Sequence, residues 1–227
     1  MHPEIGDLVG VKASIRVEGF ERVSAEVLAD AHGLSTATLH EAGGKIGVMP
    51  SAIKAVHPGF RLCGPALTVH GPGGDNLWLH YAIYAAQPGD VLVVQCSGRY
   101  DHGYWGEVMS TAARARGLGG LVIDGCVRDF DLLAEVGFPV FARGISIRGT
   151  AKDKAAGGWI NAATQFGDIS VHPGDLVVGD ADGVVVIPRA RAAEVVTKSH
   201  QRDEDERVIC RRLEAGETTL DIYKLNG

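Results

Sequence analysis

Apolar positions along this chain switch between two periods. Residues 24–32, "SAEVLADAH", carry helical spacing behind Ser24, whose hydroxyl can accept from the open first turn. "STATLHEAGG" predicts a second helix ended by glycines. Four short apolar runs follow, "PALTVHG", "DVLVVQ", "GGLVID" and "FPVFARG", each with the length of a buried strand. Helical patterns separate them. "DNLWLHYAIYAA" has Asp75 as its expected N-cap and Pro88-Gly89 as its stop. "GEVMSTAARARG" closes at Gly117, and "RDFDLLAEVG" starts directly after the third apolar run. Strand alternating with helix predicts an α/β sheet with parallel pairings.

From about residue 167 the rhythm changes. "GDISVHPGDLVVGDADGVVVIP" reads as three strands and two turns, with Asp182-Gly183 as the hairpin signal. Beyond Pro188 a long helix is predicted, "RARAAEVVTKSHQRDEDERVICRRLEAGE", too polar to bury all round but with apolar positions suited to a partner. "HPGFRL", "QPGDVLVV" and "HPGDLVVG" echo one another. Their unequal spacing excludes a solenoid repeat and points to shared Pro-Gly turn chemistry. No low-complexity segment or linker divides the chain, so 1–227 reads as one domain.

Composition narrows the class. The chain has 227 residues, enough to bury a core without disulfide staples. With 45% apolar and 22% charged residues it has the balance of a soluble globular protein. A net charge of −6 argues against a nucleic-acid protein held by phosphate contacts. "MHPEIGDLVG" lacks the basic-then-apolar pattern of a signal peptide, and no apolar run approaches the ~20 residues of a membrane span. Cys63, Cys96, Cys126 and Cys210 form no CxxC pair. Together these features predict a cytoplasmic location.

The candidate chemistry lies in "VIDGCVRDFD", residues 122–131, where Arg128 and Asp129 follow a buried strand. The preceding helix begins near Glu107. Roughly 10 helical residues span about 15 Å, and roughly 5 strand residues span about 17 Å. The lengths nearly cancel, so Gly106-Glu107 and Arg128-Asp129 should share the carboxyl edge of the sheet, where α/β folds place ligands. The first-turn amides of Val108 and Met109 can hold a carboxylate, and Gly106 permits close approach. Glu107 and Asp129 are hard oxygen donors suited to Mg²⁺ or Mn²⁺. Arg128 can face a negative oxygen. The set suits a substrate that becomes an enolate. The competing interpretation is that Glu107 and Asp129 only cap their helices.

Glu107, twenty intervening residues, then Arg128-Asp129 resembles the acidic-X20-Arg-Asp signature of the RraA-like class II pyruvate aldolases, the 4-hydroxy-4-methyl-2-oxoglutarate and 4-carboxy-4-hydroxy-2-oxoadipate aldolases. The resemblance extends through "GDNLWLHYAI", "PGDVLVV", "GYWGEVMSTAARARGLGGLVIDGCVRD", "GFPVFARG", "HPGDLVVGDADGVVVIPR" and "RLEAGETTLDIY". It implies a β/β/α sandwich of the swivelling-domain-like type, assembled as homotrimers or homohexamers, with residues 189–227 as a helical arm reaching a neighbour. It implies a divalent cation held by Asp129 directly and by Glu107 through water. Gly106 to Met109 would line the pyruvoyl carboxylate and Arg128 the keto oxygen. An acidic residue from a neighbour's arm would close the site: Glu206 is the first choice and Glu204 the second.

Other residues weigh less. His102, in a Gly-rich aromatic loop, is expected to be a solvated histidine rather than a lid or substrate contact. Asn76 and His80 share a helix face and are explained nearly as well by capping and surface polarity. None of the seven lysines lies in an apolar strand, which weighs against Schiff-base chemistry. No GxSxG or P-loop occurs. The resemblance also includes non-catalytic members of the fold that regulate ribonuclease E by binding it, and this is the alternative function. A phosphohistidine carrier would need a positioned acceptor histidine, for which no compelling candidate stands out.

Overall fold

The computed structural model describes residues 15–16 and 19–226; the N-terminal stretch read above for a signal pattern lies outside them. The expected α/β architecture is present. Helix α1 (Ala25–Ala31) starts where Ser24 accepts from the Val27 amide, and α2 (Thr36–Ala42) where Ser35 accepts from Thr38. The parallel centre of the sheet is β3 (Leu62–His70), β4 (Val91–Gln95), β5 (Gly120–Val127) and β6 (Val140–Ile145), joined in that order. Between them run α3 (Leu77–Ala85), α4 (Glu107–Ala115) and α5 (Phe130–Val136). Short strands escaped the apolar-run reading because two or three residues carry no period: β1 (Ile15–Arg16), β2 (Lys54–Ala55), β7 (Trp159–Ile160) and β8 (Thr164–Phe166). β9 (Ile169–Val171) pairs with β8 in a separate hairpin.

β10 (Leu176–Asp180) and β11 (Gly183–Ile187) form the predicted hairpin. Asp180 pairs with Gly183, so the two-residue loop is Ala181-Asp182, one position earlier than the Asp-Gly signal suggested. β10 also pairs antiparallel with the first half of β3, and a bridge from Val185 to Val48 brings β11 toward the segment leading into β2. The sheet therefore curls into a nearly closed barrel. One apolar cluster fills the sheet beneath α3 and α4; a second packs α1, α2, β10 and β11 against α6 (Arg189–Glu214).

The Pro-Gly echo is shared turn chemistry. At 87–90 and 172–175 the aspartate after Pro-Gly accepts, through Oδ2, the amide three residues back: Gln87 to Asp90 at 2.8 Å, His172 to Asp175 at 2.9 Å. Gly89 and Gly174 sit at φ +87° and +86°, where a side chain would be strained. The remaining acceptor capacity of each does different work: Asp90 binds the Arg22 guanidinium through both oxygens, and Asp175 accepts through Oδ1 the Arg189 amide that opens α6.

The 26 residues of α6 span about 39 Å at 1.5 Å per residue. Its buried residues, Ala192, Val195, Val196 and Ser199, all lie in the first half. No helix among the described residues is long and apolar enough to cross a membrane.

Candidate active site

The site is built by a crossing of two chain segments at the carboxyl edge of β4 and β5. β5 does not end at Asp124, as its apolar run suggested, but continues to Val127. Its extension lies beside the loop before α4: Cys126 donates to Tyr100 O at 2.9 Å, Tyr104 donates to Cys126 O at 3.0 Å, and Arg128 donates to Trp105 O at 2.8 Å. Tyr104 and Trp105 are buried anchors. The Tyr104 hydroxyl accepts from Gly74 and donates to Arg99 O, and burial raises its pKa to about 12. Trp105 Nε1 donates to Ser110 Oγ at 2.6 Å, tying the loop to the first turns of α4. Gly106 and Glu107 thus stand directly against Arg128 and Asp129, as the length argument required.

Asp129 does not cap its own helix; its side chain makes no bond to the first turn of α5. It reaches across instead, and Oδ2 accepts the Glu107 amide at the start of α4, at 3.2 Å. Its backbone sits at φ 61°, ψ 43°, the left-handed region, which costs a non-glycine residue on the order of 1 kcal/mol and marks a constrained position. Its side chain is 34% exposed and lies 3.7 Å from Arg128 Nε, with Arg128 itself half open. The reading of Asp129 as a cap of its own helix is thereby replaced by a cap supplied from a neighbouring strand, with most of the carboxylate's acceptor capacity left over.

Gly106 explains how the two approach. A Cβ there would stand 2.2 Å from Asp129 Oδ2, so only hydrogen fits. Gly103, slightly earlier in the same loop, is constrained in the same way: a Cβ would lie 3.1 Å from Arg128 Cβ and closer still to Ser146 O. Behind Gly106, the amides of Val108 and Met109 have no acceptor within the helix by position. Val108 is 75% exposed and Met109 is buried. Glu107, at the mouth, is partly exposed.

The donor set can be tested against a cation. Among the described residues no three His, Cys, Asp or Glu side chains come together, so these residues do not build a closed cage of the zinc type. One open carboxylate, brought close by Gly106, and a second partly exposed acid fit a hard cation that keeps water and takes substrate oxygens.

Glu206 is not joined to this group within one chain. Its carboxylate pairs with Arg202 Nη2 at 2.9 Å, one turn back on α6, and Glu204 pairs with Arg207 at 2.9 Å. Asn76 is a residue that sequence reasoning undervalued. It is buried, donates to Tyr104 O at 2.9 Å and touches Met109 Sδ at 3.6 Å, and its Oδ1 has no partner. The expected N-cap of α3, Asp75, lies one residue too early: the N-cap is Asn76, whose side chain makes no capping bond, while Asp75 Oδ1 accepts the Leu77 amide from just outside the helix. His80 has a buried, unpartnered Nε2, and burial, with Lys152 nearby, lowers its pKa. The available signal was a polar pair one turn apart in an otherwise apolar helix. His102 departs from the expectation of a solvated residue. Only 13% of its side chain is exposed, packed near the Tyr104 ring and close to Gly74, with Asp101 at 3.2 Å. All lysines among the described residues are exposed.

Comparison with known proteins identifies the family and the fold. The pattern of the RraA-like family, described as Aldolase/RraA, matches residues 25–186. A protein of Halalkalibacterium halodurans named "Putative 4-hydroxy-4-methyl-2-oxoglutarate aldolase" is 37% identical over 158 residues, 70% of this chain and 74% of that one. A solved structure of a Pseudomonas syringae protein superposes with a TM-score of 0.76 at 33% identity, covering 88% of this chain and 97% of that chain. Streptomyces coelicolor RraAS2, described as an unusual member of the RNase ES inhibitor RraA protein family, superposes at 0.74 with 30% identity, covering 84% and 100%.

Proposed function

The chain belongs to the RraA-like family, and from that premise we propose that it is a class II pyruvate aldolase, a carbon–carbon lyase that uses Mg²⁺ or Mn²⁺. Its substrates would be 4-carboxy-4-hydroxy-2-oxoadipate, 4-hydroxy-4-methyl-2-oxoglutarate or both. The observation that carries the reading is the open Asp129 carboxylate, held against the start of α4 beside Arg128.

Asp129 would hold the cation directly and Glu107 through water. When bound, the cation supplies Lewis acidity to the carboxylate and keto oxygen of the pyruvoyl half. The Val108 and Met109 amides receive the substrate carboxylate. Arg128 faces the keto oxygen. A water or hydroxide near the Glu107 and Asp129 carboxylates takes the C4 hydroxyl proton, a water relaying it to one of those carboxylates. The C3–C4 bond breaks, C4 becomes a carbonyl, and the electron pair enters an enolate whose oxygen Arg128 stabilises. Protonation at C3 releases pyruvate; the other product is oxaloacetate or a second pyruvate. The same enolate allows oxaloacetate decarboxylation as a side activity.

The exposed second half of α6 supports an arm that brings Glu206 to a neighbour's site in a homotrimer or homohexamer. A second reading, a protein-binding regulator of ribonuclease E, is favoured by the likeness to RraAS2. One experiment separates the two. Pyruvate release from each substrate is measured with Mg²⁺, with EDTA, and after Mn²⁺ is restored. Loss in EDTA and recovery with metal is the expected result. Full turnover in chelator would remove the class II mechanism. No turnover under any condition, with inhibition of ribonuclease E, would favour the regulator.

A further inference from the structure

β5 and β6 pair in step from Leu121 opposite Val140 to Ile123 opposite Ala142, and again at Cys126 opposite Gly144 and Val127 opposite Ile145. Between these stretches β5 has two residues, Asp124 and Gly125, where β6 has one, Arg143. One extra residue in a strand of period two exchanges the faces of every residue after it. The bulge therefore decides how the chain enters Arg128 and Asp129.

Arg143, the single residue opposite the bulge, donates from Nε to Asp124 Oδ1. Asp124 is buried and Arg143 mostly so. The Arg143 guanidinium also lies over the Tyr100 ring, 3.9 Å from its centroid, and Tyr100 O accepts the Cys126 amide. On the other side, a Cβ at Gly125 would stand 3.0 Å from the Tyr104 ring, so Tyr104 packs directly on the bulge. A buried ion pair adds little stability over an apolar pair of similar size.

We infer that Asp124 and Arg143 are positioning residues: across the β5 bulge, and through the Tyr100–Trp105 loop, they set the placement of Arg128 and Asp129. The inference rests on the catalytic roles proposed for those two residues. It concerns neither substrate nor cation contact.

The test uses the double variant Asp124→Asn with Arg143→Gln, whose amides can still bond each other in the buried site, and Arg143→Lys, which keeps the charge without the planar fork. Hydrogen exchange is read by segment, together with steady-state kinetics on the metal-loaded protein. In the double variant the amides of Cys126 to Arg128 should exchange about tenfold faster while those of Leu121 to Ile123 keep their protection. kcat for pyruvate release should fall about 10- to 100-fold with little change in KM. Arg143→Lys should lie between parent and double variant, and carries the same two measurements if the double variant does not fold. Unchanged exchange at 126–128 overturns the inference. So does faster exchange with parent kcat, or an equal loss of protection along all of β5, which is general destabilisation. A parent protein that never releases pyruvate removes the functional reading, while the exchange pattern still decides whether the pair fixes the segment.

Discussion

Two aspartates in this molecule do the same geometric job with opposite outcomes. Asp180, at the end of β10, reaches to the start of α2; Asp129, just past β5, reaches to the start of α4. Asp180 is buried and most of its acceptor capacity is used. It accepts the Thr36 amide at 2.9 Å, the Thr36 hydroxyl at 2.7 Å and the Asp182 amide at 3.0 Å. Asp129 accepts one amide, at 3.2 Å, and stays a third exposed, on a left-handed backbone beside an arginine. A carboxylate has about four acceptor sites. Where the fold fills most of them, the group is a structural cap. Where the fold leaves them open and holds the backbone in a costly conformation, it is available to a ligand.

The sharpest way to break that contrast is to remove each carboxylate. Asp129→Ala should abolish turnover by at least ~10³-fold if Asp129 holds the cation as proposed, because a direct cation ligand supplies several kcal/mol at the transition state. Its melting temperature should change little, because alanine keeps the same left-handed backbone and only one partly exposed hydrogen bond is lost. Asp180→Ala should do the reverse. It should lose about 3 kcal/mol of stability from unsatisfied buried donors, seen as a melting shift of roughly 6–12 °C, with kcat per folded molecule unchanged. A strongly destabilised Asp129→Ala, or an inactive but fully stable Asp180→Ala, would erase the distinction.

Next in size is Arg128→Lys, which keeps charge but not the fork; kcat should drop ~100-fold and KM much less. Retention of most kcat would make Arg128 structural. Glu206→Gln should cost up to ~100-fold if its carboxylate orients water in a neighbour's site. Mixing it with Asp129→Ala after reversible dissociation should return some of the activity, since some interfaces then join two intact halves. An inactive Glu206→Gln without recovery on verified mixing would place the whole site in one chain.

The smallest effect is on pH. Burial pushes the Asp180 carboxyl up, but the Thr36 and Asp182 hydrogen bonds and Arg61 outweigh it, leaving its pKa below the usual carboxylate value. A depressed folded pKa gives stability that is present above the unfolded pKa of about 3.9 and is lost as pH falls through the folded value. Chemical denaturation of the parent and Asp180→Asn should therefore differ at neutral pH and converge below about pH 4. A gap that stays constant down to strongly acidic pH would mean that charge on Asp180 is not what holds α2.

Much of this was legible from the chain alone. Helices α1 and α2 start at serines because a hydroxyl satisfies open amides locally. β4 and β5 follow from unbroken apolar runs, and the hairpin of β10 and β11 from its turn residues. Even the meeting of Glu107 with Arg128 and Asp129 came from helix and strand rise, quantities that depend on residue count and not on packing. Long-range facts were different. The bulge at Asp124 and Gly125 is invisible in sequence because it exists only relative to β6. The burial of His102 and Asn76 depends on Gly74, Tyr104 and Met109, brought beside them by separate elements. Nor does an Asp before a helix say which helix it caps. Asp129 caps a helix other than the one its sequence window would assign, and Asp180, at a hairpin turn, caps a helix where no window would look for one, because a hydrogen bond needs only proximity in space, and that is decided when the sheet curls and the helices close over it.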